Sequence, residues 1–384
     1  MSSILLKGPR VVLADGEVAS TSVLISDRLI RKISPEISVA GAIEIDLTNT
    51  TLFPGFIDTH IHGADGVDIM DAAPSELIDM SKFLASEGVT AWVPTFVPAS
   101  DATYARAVNA ISNAMETRHG ATARILGIHY EGPFVNMAQC GALHKDYFKT
   151  YQAPLDLDSL PIPGTGIKMT TMSPEIEGGV ELVGALKERG WIVSIGHTRA
   201  DVEVLDRAFN AGARHMTHFM NAMAPLHHRN PGPIGWGMSR NDVSCDIIAD
   251  GIHLDPFVLK LLLNIKGAGS LSLISDAIAA AGKGDGDYQI WGETISVKNG
   301  RTSNSHGSIA GSVITMLDAV RMMRSLAVSD VDLARMASLN PARLLGIEHE
   351  CGSIEEGKRA DLVAIAGKAE VKLTMVSGEV AFRN

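Results

Sequence analysis

The sequence predicts an α/β protein: a (β/α)₈ barrel with a small β-sandwich domain that both ends of the chain build. Three observations support this prediction. Short apolar segments alternate with helical segments through the middle of the chain, which is typical of parallel strands joined by helices. Both ends are instead rich in short strands and turns. Metal-binding side chain types follow most of the apolar segments, which indicates an active site at one rim of the barrel.

The length and the terminal segments fix the predicted domain limits. The chain has 384 residues, enough for a barrel of about 250 residues and a smaller second domain. Strand-like segments separated by turn residues occupy the first fifty residues, and similar segments return after residue 360. We therefore expect a small β domain from residues 1–52 and 352–384, and a barrel from residues 53–351.

The middle of the chain contains eight candidate strands. They are near-continuous apolar runs, as buried parallel strands usually are, and they lie near residues 52–58, 89–97, 124–130, 166–172, 190–196, 213–218, 244–250 and 271–275. Helical patterns intervene, among them residues 75–86, 101–117, 178–189 and 201–211. A doubly wound open sheet is the competing arrangement. No GxGxxG motif follows the first strand and no P-loop is present, so the nucleotide-binding forms of that sheet are disfavoured.

Composition limits the partners that this protein can have. Hydrophobic residues make up 46% and charged residues 20% of the chain, as in an ordinary globular enzyme. The net charge of −11 disfavours nucleic acid or an anionic membrane as the main partner. An anionic substrate would therefore need a pocket of locally positive charge.

The cysteines and the N-terminal segment predict a cytoplasmic protein. Cys140, Cys245 and Cys351 are far apart and show no CxxC spacing, so neither a disulfide framework nor a thiolate zinc site is indicated. Residues 1–9 lack the apolar stretch of a signal peptide. No run approaches the ~18 apolar residues of a membrane helix.

Polar residues at the ends of the predicted strands are the main indication of function. Six of the eight strands end in, or are followed closely by, a side chain that can bind a metal or move a proton: His60 and His62, Glu131, His197, His218, His253 and Asp276. Because the carboxyl ends of barrel strands meet at one rim, we expect these side chains to lie close together.

The His60-Ile61-His62 spacing suits a strand that carries two metal ligands. Side chains at positions i and i+2 point to the same face, so both imidazoles can face the barrel mouth. Imidazole and carboxylate ligands suit zinc or iron. Two surface turn histidines are the alternative, and the other strand-end groups weigh against it.

Glu131 ends an apolar strand, where a carboxylate is costly to bury without a cation. The alternative is that Glu131 caps the Gly-Pro turn that follows it.

His197, His218 and Asp276 complete the predicted set. One histidine at a strand end is more often structural, but two at equivalent strand ends favour metal ligands. Asp276 could cap a helix. Its place on the eighth strand, beside the first, favours a general acid and base next to a metal-bound water.

Taken together, these motifs resemble the amidohydrolase superfamily and, within it, the N-acetylglucosamine-6-phosphate deacetylases. The resemblance covers essentially the whole chain. The segments that carry it are residues 54–63, 129–133, 196–198, 217–223, 249–253, 275–277, 310–312 and 340–343. The combination of His-x-Glu-Gly-Pro, Thr-His-x-x-Asn-Ala-Met and Ala-Asp-Gly-Ile-His is highly specific to these deacetylases.

The resemblance implies a divalent metal, most often Zn²⁺ with Fe²⁺ as an alternative, held by Glu131, His197 and His218. Some relatives bind a second metal at the HxH pair. This chain keeps His60 and His62, so one or two metals per subunit are implied. The position of the catalytic aspartate corresponds to Asp276.

The resemblance also implies substrate contacts. They come from Asn221, Ala222, Arg229, His253 and the turn formed by Ile309, Ala310 and Gly311. The positions of Arg229 and His253 hold the phosphate of the neighbouring subunit's substrate in relatives, which implies a homodimer. A guanidinium suits phosphate oxygens, although a solvated loop charge is the alternative for Arg229.

One loop departs from the family pattern. Relatives place a histidine in a short Gly-x-His segment after the Glu-Gly-Pro motif, whereas residues 140–144 here are one residue longer. We assign that histidine's role to His144, as a catalytic group that polarises the acetyl carbonyl or contacts a sugar hydroxyl.

The implied reaction is hydrolysis of the acetamide of N-acetyl-D-glucosamine 6-phosphate to D-glucosamine 6-phosphate and acetate. The same deacetylation of N-acetylgalactosamine 6-phosphate stays open. Cyclic-amide hydrolases that need a carbamylated lysine are disfavoured, because Lys168 precedes the apolar run of the fourth strand. A catalytically inactive scaffold is disfavoured because every expected metal and acid–base position is filled.

Overall fold

The structure is a computed structural model that describes residues 3–13, 15–117, 121–367 and 369–384. The strands, in chain order, are β1 (Ile4–Lys7), β2 (Arg10–Val12), β3 (Glu17–Val18), β4 (Ser22–Ser26), β5 (Leu29–Ser34), β6 (Ile43–Asp46), β7 (Thr50–Pro54), β8 (Phe56–Ile61), β9 (Gly63–Ala64), β10 (Val67–Asp68), β11 (Val89–Phe96), β12 (Arg124–Ile125), β13 (Gly127–Glu131), β14 (Ile167–Met172), β15 (Ile192–Ile195), β16 (His215–Met216), β17 (Ser244–Ile248), β18 (Leu271–Ile274), β19 (Gly286–Ile290), β20 (Glu293–Lys298), β21 (Arg301–Ser303), β22 (Leu362–Ala366), β23 (Glu370–Val376) and β24 (Glu379–Arg383).

The helices cover the outside of the barrel. They are α1 (Pro74–Ser86), α2 (Asp101–Glu116), α3 (Gly179–Glu188), α4 (Val202–Ala211), α5 (Gly232–Ser239), α6 (Pro256–Lys266), α7 (Met316–Ser325), α8 (Asp330–Ala334) and α9 (Asn340–Leu344). Local sequence explains several helix starts. The Ser100 hydroxyl, for example, accepts a hydrogen bond from the Thr103 backbone N–H at the beginning of α2, a cap that contributes about 1 kcal/mol.

Eight parallel strands form the barrel. They are hydrogen-bonded in the order β8-β11-β13-β14-β15-β16-β17-β18. The last strand returns to the first, where the Asp276 backbone N–H donates to the His60 carbonyl (2.9 Å) and the His62 N–H donates to the Ala277 carbonyl (2.8 Å). All eight residues of β11 are buried, as expected for a strand covered on both faces. The predicted barrel fold is confirmed.

Both ends of the chain build one β sandwich. One sheet has the order β5-β4-β1-β6 and the other the order β24-β23-β22-β7-β2-β3. The N-terminal and C-terminal segments meet where β7 pairs antiparallel with β22. Between the sheets lies an apolar cluster that includes Leu6, Val23, Leu52, Leu362 and Leu373. The small domain built from both termini is therefore confirmed.

The predicted strand at 52–58 is two strands. Thr50–Pro54 belongs to the terminal sheet and Phe56–Ile61 to the barrel, with Gly55 between them. A Cβ atom on Gly55 would lie 2.2 Å from the Thr90 side chain, so a larger residue would not fit at this crossing. The limits 1–52, 53–351 and 352–384 stay a prediction, and the structure adds that β7 pairs with the terminal strands.

A three-stranded sheet, β19-β20-β21, follows the last barrel strand and was not predicted. It packs through Ile290, Ile295 and Val297 against Ile278 and Ala310 at the rim of the barrel. Its tight turn carries Trp291 to the same rim. Across the described ranges, no helix is both long enough and apolar enough to cross a lipid bilayer.

The sandwich core should tolerate truncation poorly. Leu373 on β23 is fully buried, so Leu373→Ala should lower the free energy of unfolding by about 2–5 kcal/mol through lost burial and a new cavity. Urea unfolding measures this change. Val380→Ala on the adjacent β24, where the side chain is 39% exposed, is the control; equal unfolding midpoints for the two variants would contradict the role of this core.

Candidate metal centre and substrate cavity

The predicted metal-binding side chains meet at the carboxyl end of the barrel. Five strands or the turns that follow them supply the group, and every member is at most 7% exposed: His60, His62, Glu131, His197, His218 and Asp276. Burial of so many ionisable side chains at one point is costly unless they pair with one another or with a cation. The strand-end pattern in the sequence therefore corresponds to one site.

Three of these residues have left-handed backbone conformations. The φ angles are +49° for His197, +31° for His218 and +49° for Asp276, a region that non-glycine residues rarely adopt. Such conformations cost on the order of 1–3 kcal/mol each and collect at functional sites. Here each one turns the chain sharply after its strand and directs the side chain over the barrel mouth.

The first group of ligand-type atoms comprises Glu131, His197 and His218. The Nε2 atoms of His197 and His218 lie 2.8 Å and 2.9 Å from Glu131 Oε1, and 3.2 Å from each other. A carboxylate oxygen and two imidazole nitrogens thus converge on one point. This donor set suits a zinc or iron ion.

The second group comprises His60, His62 and Asp276. The two Nε2 atoms are 3.1 Å apart and lie 3.4 Å and 3.3 Å from Asp276 Oδ1. Glu131 joins the two groups, because its Oε2 atom lies 3.3 Å from His62 Nε2. One carboxylate therefore stands between two sets of metal-binding atoms.

The charges of this cluster are strongly coupled. Burial alone would favour neutral His62, but hydrogen bonds to Asp276 and Glu131 outweigh it and raise the pKa of His62 to about 10. Burial would likewise raise the pKa of Glu131, yet the surrounding imidazoles hold it well below its usual value. The protein's own groups thus favour anionic carboxylates, the form in which they bind metals.

The outer nitrogens of two imidazoles are arranged as metal sites require. His197 Nδ1 lies 2.8 Å from the Gln139 carbonyl oxygen, and His62 Nδ1 lies 3.1 Å from the Thr95 carbonyl oxygen. A carbonyl can only accept, so each Nδ1 carries a proton, and Nε2 is the nitrogen that would bind a metal after any proton on it is released. The residues present therefore fit a divalent metal.

His129 lies one layer deeper in the barrel and is a fully buried core residue. Its Nδ1 lies 3.1 Å from the Thr59 carbonyl oxygen and its Nε2 lies 2.8 Å from the Thr171 hydroxyl. Burial and the neighbouring His60 hold the pKa of His129 well below its usual value. A neutral imidazole thus packs beneath the metal-binding groups, with the ring centroids of His129 and His60 4.8 Å apart.

A cavity of about 350 Å³ opens over the cluster. Its walls include several of the predicted substrate-binding residues: Asn221, Ala222, His253, Ile309 and Gly311. His253 is held by Asp250, whose Oδ2 lies 2.6 Å from His253 Nδ1. Burial opposes the charge on Asp250, but His253 lowers the pKa of that carboxyl. The cavity is large enough for a small substrate.

The 309–311 turn packs against the strand end that carries Asp276. Gly311 has a φ of +57°, and a Cβ atom there would lie 2.7 Å from Ile278 Cγ2 and 2.9 Å from the Asp276 carbonyl oxygen. The Ala310 side chain is fully buried among apolar residues, and its backbone N–H donates to the Thr302 hydroxyl. Ile309 and Gly311 therefore face the cavity, whereas the Ala310 side chain does not line it.

The structure does not bring His144 to the metal-binding atoms. Its side chain lines a neighbouring cavity of about 180 Å³ together with Tyr147 and Trp291, and Leu143 lines the cavity over the cluster instead. Within residues 140–144, the side chain at position 143 thus takes the inward place that the prediction gave to His144. The assignment of a catalytic role to His144 has no support from this geometry.

Arg229 also lies outside the cavity. The residue is exposed, and its backbone N–H donates to His227 Nδ1 at 3.3 Å. His253 lines the cavity within the same chain. Any contact of Arg229 with a bound phosphate therefore depends on an arrangement outside this single chain, as the homodimer prediction requires.

Sequence reasoning missed several residues of the site. Trp291 lines the cavity and packs edge-on against His62, with ring centroids 5.4 Å apart. Gln139 contributes a backbone carbonyl, which no side-chain pattern can reveal. Glu175 contacts the turn that carries His197. Its position shortly after the fourth strand was a usable signal, because it too is a carboxylate at a strand end.

Comparisons with known proteins agree with the fold. Residues 51–381 match the Amidohydrolase family. The chain is 38% identical to N-acetylglucosamine-6-phosphate deacetylase of Bacillus subtilis, over 98% of this chain and 93% of that protein. It is 34% identical to N-acetylgalactosamine-6-phosphate deacetylase of Escherichia coli O157:H7, over 98% of both.

A solved structure is similar over nearly the whole length. It is a mutant N-acetyl-D-glucosamine-6-phosphate deacetylase from Mycobacterium smegmatis in complex with N-acetyl-D-glucosamine-6-phosphate. The TM-score is 0.89 and the identity 29%, covering 99% of this chain and 100% of that one. The family match over residues 51–381 and the relative that is 38% identical over 98% of this chain show that the chain belongs to the amidohydrolase family.

Proposed function

We propose that this protein hydrolyses the acetamide of N-acetyl-D-glucosamine 6-phosphate to D-glucosamine 6-phosphate and acetate, with divalent metal ions at the barrel mouth. The observation that carries this proposal is the pair of buried ligand groups beneath a cavity of about 350 Å³, with Glu131 of one group 3.3 Å from His62 of the other. Relatives with that activity align over nearly the whole chain. A bound sugar phosphate in the mycobacterial structure supports the substrate class.

We propose two metal ions per subunit, with Zn²⁺ as the favoured metal and Fe²⁺ as the alternative. Glu131, His197 and His218 would hold one ion, and His60 and His62 with Asp276 would hold the other. A divalent metal bound here lowers the pKa of water from 15.7 to about 7 and polarises the acetyl carbonyl. The position of Glu131 between the groups supports a carboxylate shared by both.

We assign the proton transfers to Asp276. Its carboxyl lines the cavity, and although burial alone would raise its pKa, the nearby His60 and His62 lower it. The carboxylate can therefore accept a proton from the attacking water and donate it to the amine nitrogen, which is a poor leaving group until protonated. Leu143 and Trp291 line the same cavity.

The sugar phosphate would lie across the outer part of the cavity. Asn221 and His253 contribute polar side chains to the cavity wall. Trp291 offers an aromatic surface to the sugar or to the acetyl methyl group. The galactosamine epimer is the second candidate substrate, because a relative named for that activity aligns over 98% of both chains.

We also propose a homodimer in which Arg229 reaches the partner's substrate phosphate. Helix α6 begins three residues after His253 and exposes Phe257, Leu261 and Ile265 along one face (73%, 38% and 39% exposed). An apolar stripe at this spacing is typical of a helix that packs against a partner.

We propose a cytoplasmic location, which the unpaired thiols of the described cysteines support.

The first prediction concerns substrate and metal together. Purified protein should release acetate from N-acetylglucosamine 6-phosphate, lose this activity after chelation, and regain it when Zn²⁺ is added, because the attacking water depends on the metal. An enzyme-coupled acetate assay measures the release. Release that survives complete chelation would contradict the metal role, and release from the galactosamine epimer alone would change the sugar.

The second prediction concerns Asp276. The substitution Asp276→Asn should lower kcat by about 10²–10⁴-fold at saturating metal, because an amide cannot carry the proton. Steady-state kinetics with the metal content measured in parallel gives the value. Asp79→Asn on the exposed face of α1, where the side chain is 69% exposed, should leave kcat unchanged. Near-normal turnover by Asp276→Asn would exclude the aspartate as the proton carrier.

The third prediction concerns the dimer. Arg229→Gln should raise KM, and mixing this variant with Asp276→Asn subunits should restore about a quarter of wild-type activity, because half the dimers would hold one intact composite site. Activity of the re-associated mixture measures this restoration. Phe257→Glu should produce monomers in sedimentation velocity. If mixing restores no activity, Arg229 either acts in the site of its own subunit or contacts no substrate.

A further inference from the structure

The fourth barrel strand lies between two strands that carry metal ligands. Strand β14 pairs with β13, which ends in Glu131, and with β15, which precedes His197. Neither group of metal-binding atoms found among the described residues includes a residue of β14 or of the loop after it. That loop instead carries Ser173 and Glu175, whose side chains contact both neighbouring turns.

Glu175 accepts three hydrogen bonds from two loops. Its Oε1 atom accepts from Asn136 Nδ2 (2.8 Å) and from the Arg199 backbone N–H (2.6 Å), and its Oε2 atom accepts from the Thr198 hydroxyl (2.6 Å). Asn136 belongs to the loop after β13, which lines the substrate cavity further along. Thr198 and Arg199 directly follow His197. One carboxylate therefore ties the cavity wall to the turn of a metal ligand.

The contact with Asn136 continues to the His197 ring. The Asn136 Oδ1 atom accepts from the Ala138 backbone N–H (2.8 Å) and caps the short helical turn Met137–Gln139. The carbonyl of Gln139, the last residue of that turn, lies 2.8 Å from His197 Nδ1. This carbonyl fixes the tautomer in which Nε2 faces the metal-binding atoms.

Ser173 reinforces the same arrangement. Its hydroxyl donates to the His197 carbonyl oxygen (2.7 Å) and accepts from the Asn136 backbone N–H (2.8 Å). His197 has a left-handed backbone conformation, which persists only when the surroundings hold it. The ring and the backbone of this ligand are thus both held from the loop after β14.

We propose that Glu175 is a positioning residue that sets the orientation and tautomer of His197 and couples them to the loop that walls the substrate cavity. The proposal rests on the proposed function, because it treats His197 as a metal ligand. The carboxylate form is needed for its geometry. A glutamine at this position has one acceptor oxygen and would turn an N–H₂ group toward the Thr198 hydroxyl or the Arg199 N–H.

The test compares metal affinity in Glu175→Gln with that in Glu177→Gln. Glu177 is an exposed residue of the same loop and provides a matched control. Groups that orient metal ligands typically contribute 10–100-fold to metal affinity. We expect Glu175→Gln to weaken the binding of one of the two zinc ions by about that factor, and Glu177→Gln to leave it unchanged. Competition with a chromophoric chelator measures the affinity.

Thermal unfolding of metal-free and zinc-loaded protein separates positioning from simple loop support. A positioning role predicts that Glu175→Gln reduces the gain in Tm on zinc addition, because the affinity is lower. A role confined to loop support would lower the Tm of the metal-free protein and leave zinc affinity unchanged, which would overturn the proposal. Glu175→Asp should recover part of the affinity, since it restores the carboxylate.

A second variant keeps the proposal testable if Glu175→Gln folds poorly. Asn136→Ala leaves Glu175 in place and should weaken zinc binding through the Gln139 carbonyl. If both act through one chain of contacts, the double variant should bind zinc about as well as the weaker single variant. Wild-type protein that binds no metal would overturn the proposed function and this proposal with it, whereas unchanged zinc affinity in both variants would overturn this proposal alone.

Discussion

The buried carboxylate of Glu131 is the constraint on which the rest of the site depends. A carboxylate that is 4% exposed is unstable in a protein interior unless positive charge or hydrogen-bond donors surround it. Three imidazole Nε2 atoms lie within 3.3 Å of its two oxygens. Those imidazoles come from three different strand ends, so the carboxylate can be accommodated only when the barrel is assembled in one register.

Polar, hydrogen-bonded side chains continue in the layers of the barrel beneath this carboxylate. Beneath the site, neutral His129 fills the next layer and bonds to the neighbouring strands. Deeper still, burial outweighs the hydrogen bonds from Ser275 and His60 and raises the pKa of Asp58 to about 7. The interior of this barrel is therefore polar and hydrogen-bonded near the metal-binding end, while the apolar packing lies between the strands and the helices.

The sequence predicted the strand-borne part of the site well. Residues such as His60, Glu131 and His218 could be placed because a strand alternates its faces and parallel strands end at one rim. The loop-borne part was less accessible. Leu143 rather than His144 lines the cavity over the cluster, and the Trp291 turn belongs to a small sheet with no counterpart in a simple barrel. Neither follows from periodicity, because loop conformation is set by contacts that only the folded chain provides.

The pairing of β7 with β22 has a consequence for how the protein is made. More than three hundred residues separate Leu52 from its partner Ala364 across this pair. During synthesis the edge of β7 therefore stays unpaired until more than three hundred further residues have left the ribosome. An apolar strand with a free edge is a site at which other chains can add. The nascent chain should therefore depend on early barrel folding or on chaperones to keep that edge covered, and a message truncated before the last three strands would yield an aggregation-prone product rather than a smaller active enzyme.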